Sequence, residues 1–344
     1  MLKRLQKILR GWGGPSPKVQ TPSNPWETHY DGLATEADIY HCFRLLLGRH
    51  PHREEWAGHS GRAGSELHGL VAGYLRSLEF SKRGLLTEQA TNRLAIVQLE
   101  QFAIYVAPDD LDVGIHVQTN NYEPDVTALF HRLLRPGMRV LDIGANIGYF
   151  SMLSASIVGP GGYVLAVEPN PANVRMLEAS RRLNGFDHLT IAQVAAGRTT
   201  GLLALHVAQS NGTTSEPSGD LDALLAAQTV PSIAIDNLLP AGQPLDLIKV
   251  DVEGAEYNAL LGCRGMIALH RPAIISEFSP DMMPGISGIS GEGYLNWIFE
   301  LGYEIGVIQG DGTTSSPVRT AEPLMAEYRS RGRDHIDVLA TAVP

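Results

Sequence analysis

The stretch VLDIGANIGYF, Val140 to Phe150, constrains what this chain can fold into more than any other. A short apolar run ends in an acid, the chain turns on two glycines, and a helix-forming pattern follows. This is a strand-to-helix turn of the kind that opens a nucleotide-binding α/β unit. A dinucleotide fingerprint, G-x-G-x-x-G, laid from Gly144 meets Asn146 and Tyr149 in place of its second and third glycines. A pyrophosphate pressed against the backbone would find side chains in its way. The turn therefore suits a ligand that approaches less closely and carries no pyrophosphate. Gly144 and Gly148 permit the sharp turn and the approach of a ligand. Asp142 stands ready to accept from a cationic amino group, or to orient the turn through water.

Strand and helix patterns alternate beyond that turn. YVLAVEPN reads as a strand, and Asn170 then caps a helix that has Pro171 in its first turn and Asn184-Gly185 at its end. LTIAQVAAG, GLLALHVA, LDLIKVDVEG, PAIISEF, YEIGVIQ and HIDVLAT supply further strands, with the helix GYLNWIFELG among them. Such alternation predicts a mostly parallel α/β sheet with its ligand beyond the carboxyl ends of the strands. Glu168 ends the second of these strands, where a carboxylate can accept from ribose hydroxyls. Upstream, Leu94 to Val106, then PDDLD and VGIHV, reads as a hairpin, and NYEPDVTALFHRLL as a helix. QSNGTTSEPSGDLDALL reads as a polar loop that either covers an acceptor pocket or simply lies on the surface.

KVDVEGAEY places Lys249, Asp251 and Glu253 in strand alternation at a strand's carboxyl end, with Glu256 on the helix that follows. Acids this close raise one another's pKa and mark a functional site, although Lys249 could simply neutralise one of them. Glu277, ending PAIISEF on the neighbouring strand, could complete the cluster. His131 and His335 are alternative bases that read more simply as structural. A divalent metal bridging these oxygens is chemically plausible, but the spacing does not require one and no residue is assigned to a metal.

The rest of the chain narrows the class. The 344 residues carry a net charge of −10, which argues against a nucleic-acid partner. With 44% apolar and 19% charged residues, a packed core is expected. Cys42 and Cys263, far apart in sequence, suggest a reducing compartment and a cytoplasmic protein. Residues 1–34 read as a basic tail and a Gly/Pro-rich linker. Leu2, Leu5, Ile8 and Leu9 share one helical face among Lys3, Arg4, Lys7 and Arg10, which would allow weak contact with an anionic membrane surface. Residues 35–84 read as a small helical module, opened by the capping pair Thr35 and Asp38 and carrying two apolar stripes, Ile39-Phe43-Leu46-Leu47 and Leu67-Leu70-Val71-Tyr74-Leu75-Leu78. Its histidines His50, His52 and His59 read as solvated rather than metal-binding. Residues 85–344 form the α/β domain.

Three segments of that domain, VLDIGANIGYFS, AVEPNP and LDLIKVDVEGAEYNALLGCRGMIALHRPAIISEF, resemble the FkbM family of S-adenosylmethionine (SAM)-dependent methyltransferases. The resemblance implies a Rossmann-like class I methyltransferase fold with a mostly parallel seven-stranded sheet, SAM as cofactor, and O-methylation of a small-molecule or glycan hydroxyl. It also implies that Glu123, in NYEP, lies near the cofactor. The candidate cofactor-binding residues are then Glu123, Asp142, Gly144, Asn146, Gly148, Glu168, Asn170 and Ala196. Asp251, Glu253, Glu277 and Lys249 are the candidate catalytic residues, with Asp251 taking the proton or holding the hydroxyl and Glu253 orienting it. FRLLLGRHPHREEW and YLRSLEF resemble a short helical domain found beside sugar-handling enzymes of bacterial surface glycans, which points the acceptor towards a sugar. The competing readings are a tailoring methyltransferase of a polyketide or other natural product, and a SAM-binding module without activity. The oligomeric state is not legible.

Overall fold

The computed structural model describes residues 32–83, 94–239 and 242–343. The basic start of the chain and the linker up to residue 31 lie outside the described residues. The chain divides into two compact units, within Met1–Asn92 and Arg93–Pro344.

In the first unit Thr35 and Asp38 form the expected capping box: Asp38 N donates to Thr35 Oγ1 at 3.1 Å and Thr35 N donates to Asp38 Oδ2 at 2.8 Å. The helix Glu36–His41 continues into a π-helical turn, Cys42–Leu46, and buries Ile39 and Phe43. Further short helices follow at Arg53–Ser60, Leu67–Leu75 and Leu78–Lys82, more than the two apolar stripes alone indicate. The second stripe breaks where Ser77 caps a new helix by accepting from Phe80 N at 3.1 Å. Leu70 and Tyr74 are buried, whereas Leu75 and Leu78 are exposed. Arg49 gathers the unit by pairing with both Glu55 and Glu79. His50 Nδ1 bonds the Tyr40 hydroxyl at 2.9 Å and His59 Nδ1 bonds that of Tyr74 at 2.7 Å, so both serve the local structure.

The second unit opens with an antiparallel hairpin, β1 (Ala95–Gln98) and β2 (Ala103–Val106). The expected continuation through VGIHV is a helix instead, Gly114–Gln118. Asp110 Oδ1 accepts from Asp112 N at 3.0 Å and Val113 N at 3.4 Å, which turns PDDLD into a helix start. After the helix Pro124–Leu133 come β3 (Arg139–Ile143), β4 (Tyr163–Val167), β5 (Leu189–Ala192), β6 (Ala195–Ala196), β7 (Gly201–Ala208), β8 (Asn211–Ser215), β9 (Gln228–Ile233), β10 (Leu247–Val250), β11 (Ala273–Phe278), β12 (Tyr303–Val307) and β13 (Ile336–Ala342).

Seven strands form the main sheet in the order β12-β13-β11-β10-β3-β4-β5. β13 runs antiparallel to both its neighbours, and the pairs from β11 to β5 are parallel. Both faces are covered, so alternate residues of one strand enter different apolar layers: Leu141 and Leu165 on one side, Val140 and Val164 on the other. The alternation predicts this mostly parallel α/β sheet, and the resemblance implies the Rossmann-like class I methyltransferase fold that its strand order forms. β6-β9-β7-β8 form a second sheet. Part of the expected polar loop is therefore structured: Asn211–Ser215 pairs with β7, and Leu221–Ala226 is a helix.

Candidate functional site

The two glycines of the opening motif are required by packing. Gly144 has φ +80° and Gly148 has φ +97°. A Cβ on Gly144 would lie 1.8 Å from Asp251 O, and one on Gly148 would lie 2.0 Å from Leu177 Cδ1. The chain's own neighbours, rather than the approach of a ligand, exclude side chains at both positions. Between them Asn146 adopts φ +50°; its Oδ1 accepts from Ile147 N at 2.7 Å and its Nδ2 donates to Asn211 Oδ1 at 2.9 Å. The motif is thereby tied to the β7–β8 hairpin.

Glu168 leaves β4 into a ring of donors. Oε2 accepts from Asn146 N at 2.9 Å, while Oε1 accepts from Asn170 N at 2.8 Å and from Asn173 Nδ2 at 3.4 Å. Burial raises its pKa to about 7 despite these bonds. Asn170 caps the helix Pro171–Asn184 by accepting from Ala172 N at 3.0 Å. Asp142, also buried, accepts from Ser151 Oγ at 2.5 Å on Oδ2, and its Oδ1 has no partner among the described residues. Burial raises its pKa.

The second group gathers around Lys249. Its Nζ donates to Asp251 Oδ2 at 2.8 Å and stands 4.7 Å above the Phe150 ring centre. Burial opposes the ammonium charge, but Asp251, Glu123 and Asp142 outweigh it and hold Lys249 protonated. Burial would likewise raise Asp251, and the Lys249 charge keeps it below its ordinary value. The Asp251 side chain retains 21% of its surface, enough to meet a ligand.

Strand register brings the remaining acids to this cation. Lys249 pairs with Asp142 across β10 and β3, and Glu277 pairs with Asp337 across β11 and β13. Period-two alternation puts all four on one face of the sheet. Glu277 Oε1 accepts from Ser279 Oγ at 2.6 Å, and its carboxyl hydrogen-bonds Asp251. Burial and then the Asp251 charge push Glu277 up to about 10, so it is the protonated partner. Burial pushes Glu123 up to about 8, with Lys249 opposing and Asp251 and Asp337 reinforcing the shift. Glu123 adopts φ +37° immediately before the helix Pro124–Leu133 and is hydrogen-bonded by Tyr122. Asp337 is raised by burial to about 6. Two like charges roughly 5 Å apart cost about 3 kcal/mol at an effective dielectric of 20, so a single ammonium cannot keep all these carboxyls ionised.

One sequence expectation fails here. The strand ends at Val250, and Glu253, at φ +54°, lies in the turn beyond it rather than in strand alternation with Lys249 and Asp251. Glu256 holds that turn: its Oε1 accepts from Val252 N at 3.0 Å and Gly254 N at 3.1 Å. Eleven of the twelve candidate residues, Glu253 and Ala196 included, line one cavity of about 660 Å³ at the carboxyl ends of the strands, and Gly148, packed against Leu177, does not. His335 reaches its wall and pairs with Asp334, while His131 does not line it. The cavity also takes in Tyr122, Asn211, Thr214 and Asp337, which the sequence reading did not single out. Asp337 had a faint signal, an acid inside the apolar strand pattern HIDVLAT; Asn211 and Thr214 had none once their segment was read as a loop.

Residues 142–305 match the family model of the Methyltransferase FkbM domain. Protein-L-isoaspartate O-methyltransferase 1 of Arabidopsis thaliana is 26% identical over 180 residues, covering 50% of this chain and 73% of that protein. Protein-L-isoaspartate O-methyltransferase 2 of the same plant is 26% identical over 195 residues, which are 56% of this chain and 60% of that protein's length. Among solved structures, the methyltransferase FkbM of Methylobacillus flagellatus KT aligns with 83% of this chain and 64% of its own, at 17% identity and a TM-score of 0.37.

Proposed function

From the premise that the chain carries an FkbM methyltransferase domain over residues 142–305, we propose that it transfers a methyl group from SAM to a hydroxyl oxygen of a sugar, in a glycan or glycolipid. The observation that carries this reading is a single cavity with a ribose-type acid, Glu168, at one wall and the Lys249–Asp251 pair at another. The volume of about 660 Å³ suits a ligand of nucleoside size together with part of an acceptor. The unpartnered, buried Asp142 Oδ1 and the surplus of carboxyls favour a cationic ligand over a phosphorylated one. Glu168 would hold the ribose, while Asp142 and Glu123 would face the methionine end.

When bound, SAM supplies an activated methyl group on a good leaving group. The protein then has to align the acceptor and remove its proton. Asp251 is suited to that task because Lys249 fixes its Oδ2 and its side chain is still partly open. Glu277, hydrogen-bonded to it, orients the carboxylate. Lys249 already stands where a cation would neutralise Asp251, so the proposal needs no metal. The preference for a sugar rests on the resemblance of the N-terminal segments to a module found beside glycan enzymes.

The test is calorimetric titration with SAM and S-adenosylhomocysteine (SAH), followed by offering methyl-labelled SAM with a panel of saccharides. Glu168→Ala should abolish saturable binding of both ligands. Asp251→Asn should lower turnover about 10²–10⁴-fold while leaving SAH affinity nearly intact. Binding of NAD in place of SAM would overturn the cofactor assignment, and label appearing only in a non-carbohydrate acceptor would overturn the sugar.

A further inference from the structure

The protonated acids around Lys249 have a consequence for the reaction's charge balance. Lys249 offers one positive charge, 2.8 Å from Asp251. Facing it are Asp142 from β3, Glu277 from β11, Asp337 and His335 from the last strand and its approach, and Tyr122 with Glu123 at the entry to the helix Pro124–Leu133. Glu253 joins them from the turn after β10, and Asp112, His116, Glu168, Asp334 and a second cation, Arg333, complete the charged lining. The cavity wall thus holds more carboxyls than its cations can balance, and it keeps protons where an ordinary site would hold bare carboxylates.

We propose that this carboxyl cluster is a one-proton store matched to the cofactor's charge: it releases a proton when a sulfonium enters the cavity and regains one, at Asp251, from the acceptor hydroxyl when methyl transfer removes that charge. The inference rests on the SAM reading above. Glu123 is the exchangeable member, since its proton is held to about 8, just above neutrality, whereas Glu277 keeps its own to about 10. An added positive charge favours the ionised carboxylate and so expels the more weakly held proton. In the transfer the hydroxyl O–H bond breaks, the oxygen forms the new C–O bond, and the electron pair of the broken C–S bond stays on sulfur. One positive charge vanishes from the ligand and one proton joins the cluster, so the cavity's total charge is the same before and after. An alcohol can then lose its proton to carboxylates that would be weak bases in water, because loss of the sulfonium raises their proton affinity at that moment.

The test compares SAM with SAH, which differ by that charge. Full-length protein is titrated with each at about pH 7.5 in phosphate and in Tris, buffers whose different ionisation enthalpies reveal the protons exchanged. A carboxyl held to about 8 is roughly three-quarters protonated at this pH, so SAM should release up to roughly three-quarters of a proton more than SAH, and an analogue with an ammonium in place of the sulfonium should behave like SAM. In Glu123→Gln both affinities should fall, because Glu123 faces the methionine end, and at ligand concentrations that saturate the variant the proton difference between SAM and SAH should disappear. Equal proton counts for SAM and SAH in the unaltered protein would overturn the store and leave the cofactor reading standing. If neither ligand bound, the cofactor reading would fall and the store with it. The comparison within the unaltered protein decides the matter even if the variant does not fold.

Discussion

Glu256 shows how a single side chain can contribute to the site without touching it. Fully buried, it accepts two backbone N–H groups of the Val252–Gly254 turn on Oε1, while Oε2 has no partner among the described residues. Burial raises its pKa from the ordinary 4.5 to about 7. The folded protein therefore binds more protons than the unfolded chain between these values, and stability from this group is complete below 4.5 and lost as pH rises through 7. That displacement is worth on the order of 3 kcal/mol. Glu256→Gln keeps an acceptor for the two N–H groups and cannot ionise. Its stability relative to the unaltered protein should rise by on the order of 3 kcal/mol from about pH 4.5 to about pH 8. Urea unfolding at both pH values checks this, and a pH-independent difference would show that Glu256 stays ionised in the fold.

At the level of elements, the β3 turn and its helix were readable because local rules fix them: an apolar run, glycines where φ is positive, and Asn170 and Pro171 opening the next helix. The β7–β8 hairpin was not. The segment read as a polar loop reverses at Gln209-Ser210, and the Asn211-Gly212 pair lies in β8. Pairing of Ala208 with Asn211 and of Val207 with Gly212 sets that register, and the bond from Asn146 Nδ2 to Asn211 Oδ1 anchors it to the motif. Asn173 Nδ2 adds a second anchor by donating to Ser210 O at 2.8 Å. Asn211→Ala should loosen this wall. One hydrogen bond is worth about 0.5–1.5 kcal/mol, so SAH affinity should fall about threefold to tenfold with the hairpin still formed. Unchanged affinity would mean the hairpin is held without Asn146.

For the whole molecule, each of the two units has its own apolar core, and every residue lining the cavity belongs to the second. A chain cut between residues 83 and 94 should therefore leave a C-terminal part that unfolds cooperatively and binds SAH with unchanged affinity. Loss of cooperative unfolding in that fragment would show that the N-terminal unit completes the fold. Among the described residues, no helix is long and apolar enough to cross a membrane. The basic start of the chain, with its suggested membrane contact, lies outside the described residues.

The sequence by itself determined the alternation that builds the sheet, the glycine turn after β3, the caps and the acids Asp142, Glu168, Asp251 and Glu277, because each depends on neighbours within a few residues. The tertiary structure decided that Glu253 leaves the strand, that Glu256 serves the turn, and that Asp337 comes from the far end of the chain to lie across from Glu277. It also decided which of these carboxyls keep their protons. Desolvation and Coulomb forces depend on distances in space and on burial, and neither is written in the spacing of residues along a chain.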